Sequence, residues 1–393
     1  MEKSKKFLLV VNTTENIFNI NSGGALRSNL FIKALSDIGQ VNIICFSKNE
    51  LVSNIPNCKV IYSQLIPDIK DFWEVFRTLL GMTIRPSNPY SYFKLNKQKA
   101  SIVNRFVNQM DYDYIVCRYA QTAIICGLLD YKDKLIIDAD DNLAVVRKFR
   151  AIEGSSLFYK WKRQYESIRI GKMLKKLFSN IHCSFCSNPL ELPSPQTIYL
   201  HNTTILNESN LPLQENSTPR ILFIGFLRYF PNKHGIIHFV ESIFPHIKKS
   251  IPLVELQVVG DGEPDILAYL NSIEGVRAVG KIDDLTSEYQ KATVVAIPIY
   301  YGSGTCVKFV EALLMNRPVV STIVGARGFS EICQDGEDYM LAHNDEEFIT
   351  KTIELLTSLS KSRDMANKGH EIGENMFSQR KFCEIVKNAI LNT

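Results

Sequence analysis

Nowhere does the sequence offer the roughly 20 consecutive apolar residues that a membrane-spanning helix requires, so any membrane contact is expected to be peripheral. It also lacks a marked excess of either charge. With 45 Lys and Arg against 41 Asp and Glu the net charge is +4, too mild for a dedicated nucleic-acid binder. No second pair accompanies the C-x-x-C of Cys183 and Cys186, and His182 alone does not complete a zinc shell. The pair reads as structural cysteine, and no metal is expected. No Gly-x-Gly-x-x-Gly follows the first apolar run, where the loop offers Ser22-Gly-Gly-Ala-Leu-Arg27. This excludes a nucleotide-dependent dehydrogenase of the usual dinucleotide-binding kind. The basic start, Met1 to Lys6, precedes an apolar run, Phe7 to Val11, that is too short for a signal peptide. The nine cysteines are scattered, odd in number and mostly set in apolar runs, as expected of reduced thiols packed as small hydrophobes. A cytoplasmic protein is therefore expected.

What is present is the composition of a globular protein, 45% hydrophobic and 22% charged over 393 residues. That length exceeds one ordinary core and suits two α/β domains. Short runs rich in β-formers (Phe7 to Val11, Val41 to Phe46, Val60 to Ile61, Tyr114 to Cys117, Leu135 to Ile137 and Ile181 to Cys186) alternate with helix-length segments. The first such segment, Ala25 to Ile38, sets Leu26, Leu30, Ala34 and Ile38 on one face. A second alternation begins at Ile221 to Ile224 and continues through Leu256 to Val259, Val276 to Val279, Val294 to Pro298 and Val319 to Ser321. Between the two, residues 206 to 220 carry no periodic pattern and are read as the linker. The expected plan is a first doubly wound domain over 1–212, a second over 213–378, and a C-terminal helix within 379–393 that packs back on the first.

The most informative stretch is Tyr300-Tyr-Gly-Ser-Gly-Thr-Cys-Val-Lys-Phe-Val-Glu311, which follows a strand and opens a helix. Gly302 and Gly304 remove side chains there, so successive backbone N–H groups and the positive end of the helix can meet an anion such as a diphosphate. Lys308 and Glu311, three apart, project to the same side, one a cation for phosphate and the other an acceptor for hydroxyls. A Gly-rich turn with an ordinary surface ion pair is the bland alternative. The strand-end sequences Val259-Gly-Asp-Gly262 and Val279-Gly-Lys-Ile-Asp283 add context, because ligands of doubly wound sheets bind at strand ends.

These motifs, with Phe223-Ile-Gly-Phe-Leu-Arg-Tyr-Phe-Pro-Asn232 before them and Arg317-Pro-Val-Val-Ser-Thr322 after, resemble the donor domain of retaining GT-B glycosyltransferases of family GT4, the glycosyl transferases group 1. The likeness is specific over roughly Arg220 to Glu331 and looser before it, where Ser22-Gly-Gly24 and Leu200-His-Asn202 fit. It implies two Rossmann-like domains facing across a cleft, a nucleotide-sugar donor held mainly by the C-terminal domain, and a saccharide or lipid-linked acceptor held by the N-terminal one. Neither a metal nor another cofactor is implied. The departing phosphate would take the acceptor's proton, with configuration retained, and its electrostatic stabilisation would be the protein's main contribution.

Carried over by position, the resemblance places the distal phosphate on the backbone of Thr305, Cys306 and Val307. Lys308 would neutralise it, Glu311 would hold the ribose and Ile282 would meet the base. Gly23 and Gly24 would let the first loop approach the diphosphate, while Gly225, Gly302, Ser303 and Gly304 complete the donor site. The chain departs from the family pattern at three places. Ser303 stands where many members carry a glutamate eight residues before the equivalent of Glu311. Phe226 follows Gly225 where many carry an arginine, so Lys308, then Arg228, are expected to supply the charge. The strand Leu135 to Ile137 runs into Asp138-Ala-Asp-Asp-Asn142 rather than a histidine, and Asp140 is assigned that catalytic place. Within this acidic run, Asp141 or Asn142 is expected to cap the helix starting at Leu143.

From Arg147 to Phe178 ten Lys or Arg face two Glu, interleaved with Phe149, Phe158, Tyr159, Trp161 and Tyr165. Two readings stand: a face that meets an anionic membrane, and a solvated helix whose aromatics pack inward. Nucleic acid is not expected. For the whole chain, the readings that compete with a glycosyltransferase are a catalytically silent sugar-nucleotide-binding subunit and a sugar-nucleotide epimerase on the same plan.

Overall fold

A computed structural model describes residues 4–13, 16–18, 23–47, 53–68, 74–153, 156–206, 213, 218–302 and 304–392. Two compact units emerge, Met1–His201 with Gln379–Thr393, and Asn202–Ser378. The first unit contains β1 (Lys5–Val11), α1 (Gly23–Ser36), β2 (Gly39–Cys45), β3 (Cys58–Ser63), α2 (Glu74–Ile84), α3 (Lys97–Gln109), β4 (Tyr114–Arg118), α4 (Ala120–Ile125), β5 (Leu135–Asp140), α5 (Leu143–Glu153), α6 (Leu157–Phe178), β6 (Cys183–Cys186) and β7 (Thr197–Tyr199). Its seven strands lie in the order β3-β2-β1-β4-β5-β6-β7, with parallel pairing throughout.

The apolar run of β1 is explained by burial on both faces. Leu8 and Val10 join one core cluster with Val103 of α3 and Ile170, Met173 and Leu174 of α6. Phe7, Leu9 and Val11 alternate into another with Leu26, Leu30 and Phe31 of α1. That second cluster also takes Phe382, Val386 and Ile390 from the last helix of the chain, Gln379–Leu391, so the C-terminal segment is part of this unit's core. Cys183 and Cys186 pack inside β6, and burial pushes both thiols up to about 12.

The second unit contains β8 (Arg220–Ile224), α7 (Phe230–His238), α8 (Phe244–Ser250), β9 (Glu255–Val259), α9 (Pro264–Asn271), β10 (Val276–Ala278), α10 (Thr286–Lys291), β11 (Val294–Ile297), α11 (Val307–Leu314), β12 (Val319–Thr322), β13 (Met340–Ala342), α12 (Asp345–Thr357) and α13 (Leu359–Phe377), and the last helix named above is α14. Its sheet runs β10-β9-β8-β11-β12-β13, again parallel. The strand order reverses between β8 and β11. Such a switch point leaves a crevice at the carboxyl ends of the strands.

The unit boundary lies between His201 and Asn202, ahead of the place read from sequence at 212. The physical reason is local: Asn202 Nδ2 donates to Thr305 Oγ1 at 3.1 Å and Thr204 Oγ1 to Glu311 Oε1 at 3.2 Å. Most of the segment read as linker lies outside the described residues.

The basic segment folds as α5 and α6. Ile170, Met173, Leu174, Leu177 and Phe178 are buried, whereas Leu157, Phe158, Trp161 and Ile168 stand exposed.

Candidate functional site

The loop after β11 and the helix that follows it carry the predicted anion site. Gly302 has φ +142° and Gly304 φ +73°, conformations that a side chain disfavours. A Cβ at Gly302 would meet nothing within 4 Å, so the loop presents bare backbone. Helix α11 starts at Val307 with Cys306 at its N-cap, and the cap makes no side-chain hydrogen bond. Phe309 N donates to Cys306 O at 2.9 Å, and the helix dipole favours an anion at the start of the helix. Ser303 lies outside the described residues.

Lys308, in the first turn of α11, is buried, with 9% of its surface exposed. Its Nζ sits 4.9 Å from the centroid of Phe223 and donates to Asn232 Oδ1 at 2.7 Å. That acceptor is a neutral amide. Burial lowers the ammonium pKa below its ordinary value, against the raising influence of Cys306 and Glu311. A desolvated cation with a neutral partner is one that a bound phosphate would stabilise. Asn232 reaches it because residue 225 is glycine, since a Cβ there would approach Asn232 Cγ to 2.8 Å.

Glu311 lies one turn further along. Tyr289 OH donates to its Oε2 at 2.8 Å, and Thr204 takes the other oxygen. Burial raises its pKa, while Tyr289, Thr204 and Lys308 act to lower it. Tyr289 is fully buried, and Arg317 steadies its helix: Nε donates to Tyr289 O at 2.6 Å and Nη2 to Gln290 O at 2.9 Å. Thr305, Cys306 and Val307 are partly exposed, and Ile282 packs against the edge of the core. The structure therefore brings Gly225, Gly302, Gly304 and residues 305–308 with Glu311 around the ends of β8 and β11.

Arg228 is placed differently. It is half-exposed and paired with Asp261 at 3.1 Å, as Lys233 is with Glu263 at 3.1 Å. The buried cation of this site is Lys308. Sequence reasoning did not assign Asn202, Thr204, Asn232 or Tyr289. Signals existed for Asn232, which ends the Phe223–Asn232 motif, and for Asn202, which ends Leu200-His-Asn202, but nothing local marks Thr204 or Tyr289.

In the first unit, Gly23 and Gly24 open α1, and Gly24 O accepts from Arg118 Nη1 at 2.6 Å. The acidic run ends β5 with a register shift between Asp138 and Asp140. Asp138 is fully buried and accepts from Arg27 Nη2 at 2.7 Å, Arg27 Nε at 2.8 Å and Arg118 Nε at 3.2 Å. Burial alone would raise its pKa, but Arg27 and Arg118 hold it below the ordinary value. Asp140, at φ +58°, is clamped by Arg118 Nη2 and is 18% exposed, so its carboxylate is bound within the unit. Asn142 supplies the cap of α5, its Oδ1 accepting from Ala144 N at 3.0 Å.

Asp141 differs from its neighbours. Burial, then Asp140 and Glu191, push its carboxyl up to about 7, although Ser187 Oγ donates to it at 3.2 Å. An acid whose folded pKa is raised binds its proton more tightly in the native state, so stability falls as pH rises from about 4 to 7. Asp141→Asn is therefore expected to raise the melting temperature at pH 8 and to leave it nearly unchanged at pH 5. Thermal unfolding at the two pH values checks this.

With this geometry in hand, residues 218–358 match the family described as Glycosyl transferases group 1. Among solved structures, the chain is similar to sucrose-phosphate synthase from Thermosynechococcus elongatus, with TM-score 0.69 and 17% identity over 98% of both chains. It is also similar to Anabaena HepE solved with UDP-glucose, with TM-score 0.62 and 13% identity over 99% of this chain and 100% of the other. A Klebsiella pneumoniae protein, described as an uncharacterized 44.6 kDa protein in the cps region, is 23% identical over 96% of this chain and 99% of its own length. Residues 218–358 thus match the glycosyl transferases group 1 model, and the chain has the two-domain GT-B fold of these solved structures.

Proposed function

We propose that the second unit holds a nucleotide-sugar donor and that the enzyme passes the sugar, with retention and without a metal, to a saccharide or lipid-linked acceptor in surface polysaccharide or glycoconjugate synthesis. The observation that carries this reading is the buried Lys308, bonded to a neutral amide beside the uncapped start of α11. Amides of Thr305, Cys306 and Val307 would meet the distal phosphate, Lys308 would balance its charge as the sugar–phosphate bond breaks, and Glu311 would hold the ribose. Stabilisation is greatest when that bond breaks, because charge then accumulates on the leaving oxygen.

Three similarities support the substrate class. HepE was solved with UDP-glucose, the Klebsiella protein is described by its cps region, and WaaG, at TM-score 0.57, is described as involved in lipopolysaccharide biosynthesis. Nine cysteines held as free thiols suit a reducing cytoplasm.

The test is release of nucleoside diphosphate by the purified chain across a panel of nucleotide sugars, with water or oligosaccharides as acceptor and with EDTA present. Slow release from one donor, unaffected by EDTA and lost in Glu311→Ala, is the expected result. Release from no donor would favour a silent sugar-nucleotide-binding subunit, and an isomerised donor without transfer would favour an epimerase. Proton NMR of the first-formed product reads the anomeric configuration, and inversion would overturn the stereochemical part.

A further inference from the structure

Helices α2 and α6 of the first unit each leave large apolar side chains in water. On α2 these are Phe76, Leu80 and Ile84, and on α6 Leu157, Trp161 and Ile168. Exposure reaches 84% for Leu157 and 65% for Ile84, far beyond what a core-packed helix face shows. At 3.6 residues per turn Phe76, Leu80 and Thr83 lie on one side of α2, with Ile84 at its margin. Thr83 Oγ1 is hydrogen-bonded to Tyr165 OH at 2.7 Å, and Tyr165 stacks on Trp161 at 5.6 Å. The apolar side of α2 thus runs on to the exposed side of α6, and the two rows form one face. Phe158, also exposed, packs beside Trp161 at 6.0 Å.

Along α6 the charge is almost wholly of one sign. Within Leu157–Phe178 the sequence holds a single acid, Glu166, which is buried and paired with Lys162 and Arg163. Lys160, at the edge of the α6 row, is exposed, as is Arg85 directly after Ile84 of α2. Aromatic and aliphatic side chains rimmed by cations match an interface whose interior is apolar and whose surface is anionic. Contiguous exposed apolar area of this kind marks an interaction site rather than ordinary surface.

We infer that the face built by α2 and the amino-terminal half of α6 seats this enzyme on an anionic lipid bilayer, with Trp161, Leu157 and Phe76 inserted at headgroup depth and Lys160 and Arg85 on the lipid phosphates. The occupant is the bilayer itself. This goes beyond the transferase reading and stands independently of it, because no sugar nucleotide enters the test.

The full-length chain is sedimented with phosphatidylcholine vesicles with and without phosphatidylglycerol. Binding to the anionic vesicles, weak binding to the neutral ones and loss of binding in high salt are expected. Leu157→Asn combined with Trp161→Gln is expected to lower partitioning about tenfold or more, and Lys160→Ala about fivefold. These side chains are exposed, so both variants should melt at the temperature of the parent. Failure to bind phosphatidylglycerol vesicles, or binding undiminished in both variants, overturns the inference. So does a dimer seen by light scattering that Leu157→Asn dissociates, since a second copy would then be what covers the face.

Discussion

Lys308→Ala is expected to lower donor turnover about 10²–10³-fold, the loss typical of removing one group that stabilises charge at the reacting centre. The ammonium is buried under Phe223 and fixed by Asn232, so no solvent rearrangement is needed when the leaving phosphate gains charge. Lys308→Met keeps most of the volume and should lose nearly as much activity as alanine while retaining stability, which separates charge from packing. Lys308→Arg is not expected to rescue, because a planar guanidinium has a different shape and donor geometry from the ammonium placed here. Asn232→Ala acts through Lys308 and should give a smaller loss, with the fall mainly in kcat. Steady-state kinetics of nucleotide release compare the four variants. Glu311→Gln, by contrast, is expected to raise KM for the donor, since its carboxylate is assigned to ribose rather than to the reacting bond.

The second large effect lies far from that chemistry in sequence and concerns stability. Asp138 is fully buried between Arg27 and Arg118, which are themselves almost wholly buried. Asp138→Ala strands two desolvated guanidinium groups and is expected to cost about 3–5 kcal/mol. For a unit of about 200 residues that is a fall in melting temperature of roughly 10 °C. Asp140 remains to hold Arg118, so the change should destabilise the unit without abolishing its folding. The exposed pair Arg220–Glu255 at 3.3 Å is the contrast: Arg220→Ala should stay within about 0.5 kcal/mol. Because the folded pKa of Asp138 is depressed, its stabilisation is present above the ordinary carboxylate pKa and is lost as pH falls through the lower folded value. Urea titrations of the two variants and the parent measure the costs, and a loss below 1 kcal/mol for Asp138→Ala would contradict the account.

The strands that were legible in the sequence are those buried on both faces, because a continuous apolar run such as Phe7 to Val11 or Val294 to Ile297 has no other inexpensive place in a folded chain. The strands Thr197–Tyr199 and Met340–Ala342 were not legible. Each has three residues at one edge of its sheet, too few to establish a period. The anion loop was legible because positive φ at Gly302 and Gly304 demands glycine, which is a local requirement. Its supports were not. Asn232 and Lys308 stand 76 residues apart and Arg27 and Asp138 stand 111 apart, and their pairing follows from parallel strand order rather than from any spacing along the chain. The acidic run shows the same limit: its composition suggested one carboxylate for an acceptor, whereas two of its three aspartates are held by Arg27 and Arg118 and the third is held near neutrality.

The start of α11, with its buried lysine, is expected to be a diphosphate site. Thermal unfolding of the parent chain and of Lys308→Met with a panel of nucleoside diphosphates tests it most directly, since a ligand bound by the native state raises apparent stability. At least one nucleoside diphosphate is expected to raise the melting temperature of the parent and to leave Lys308→Met unmoved. A shift of equal size in both proteins, or none with any nucleotide, would contradict it.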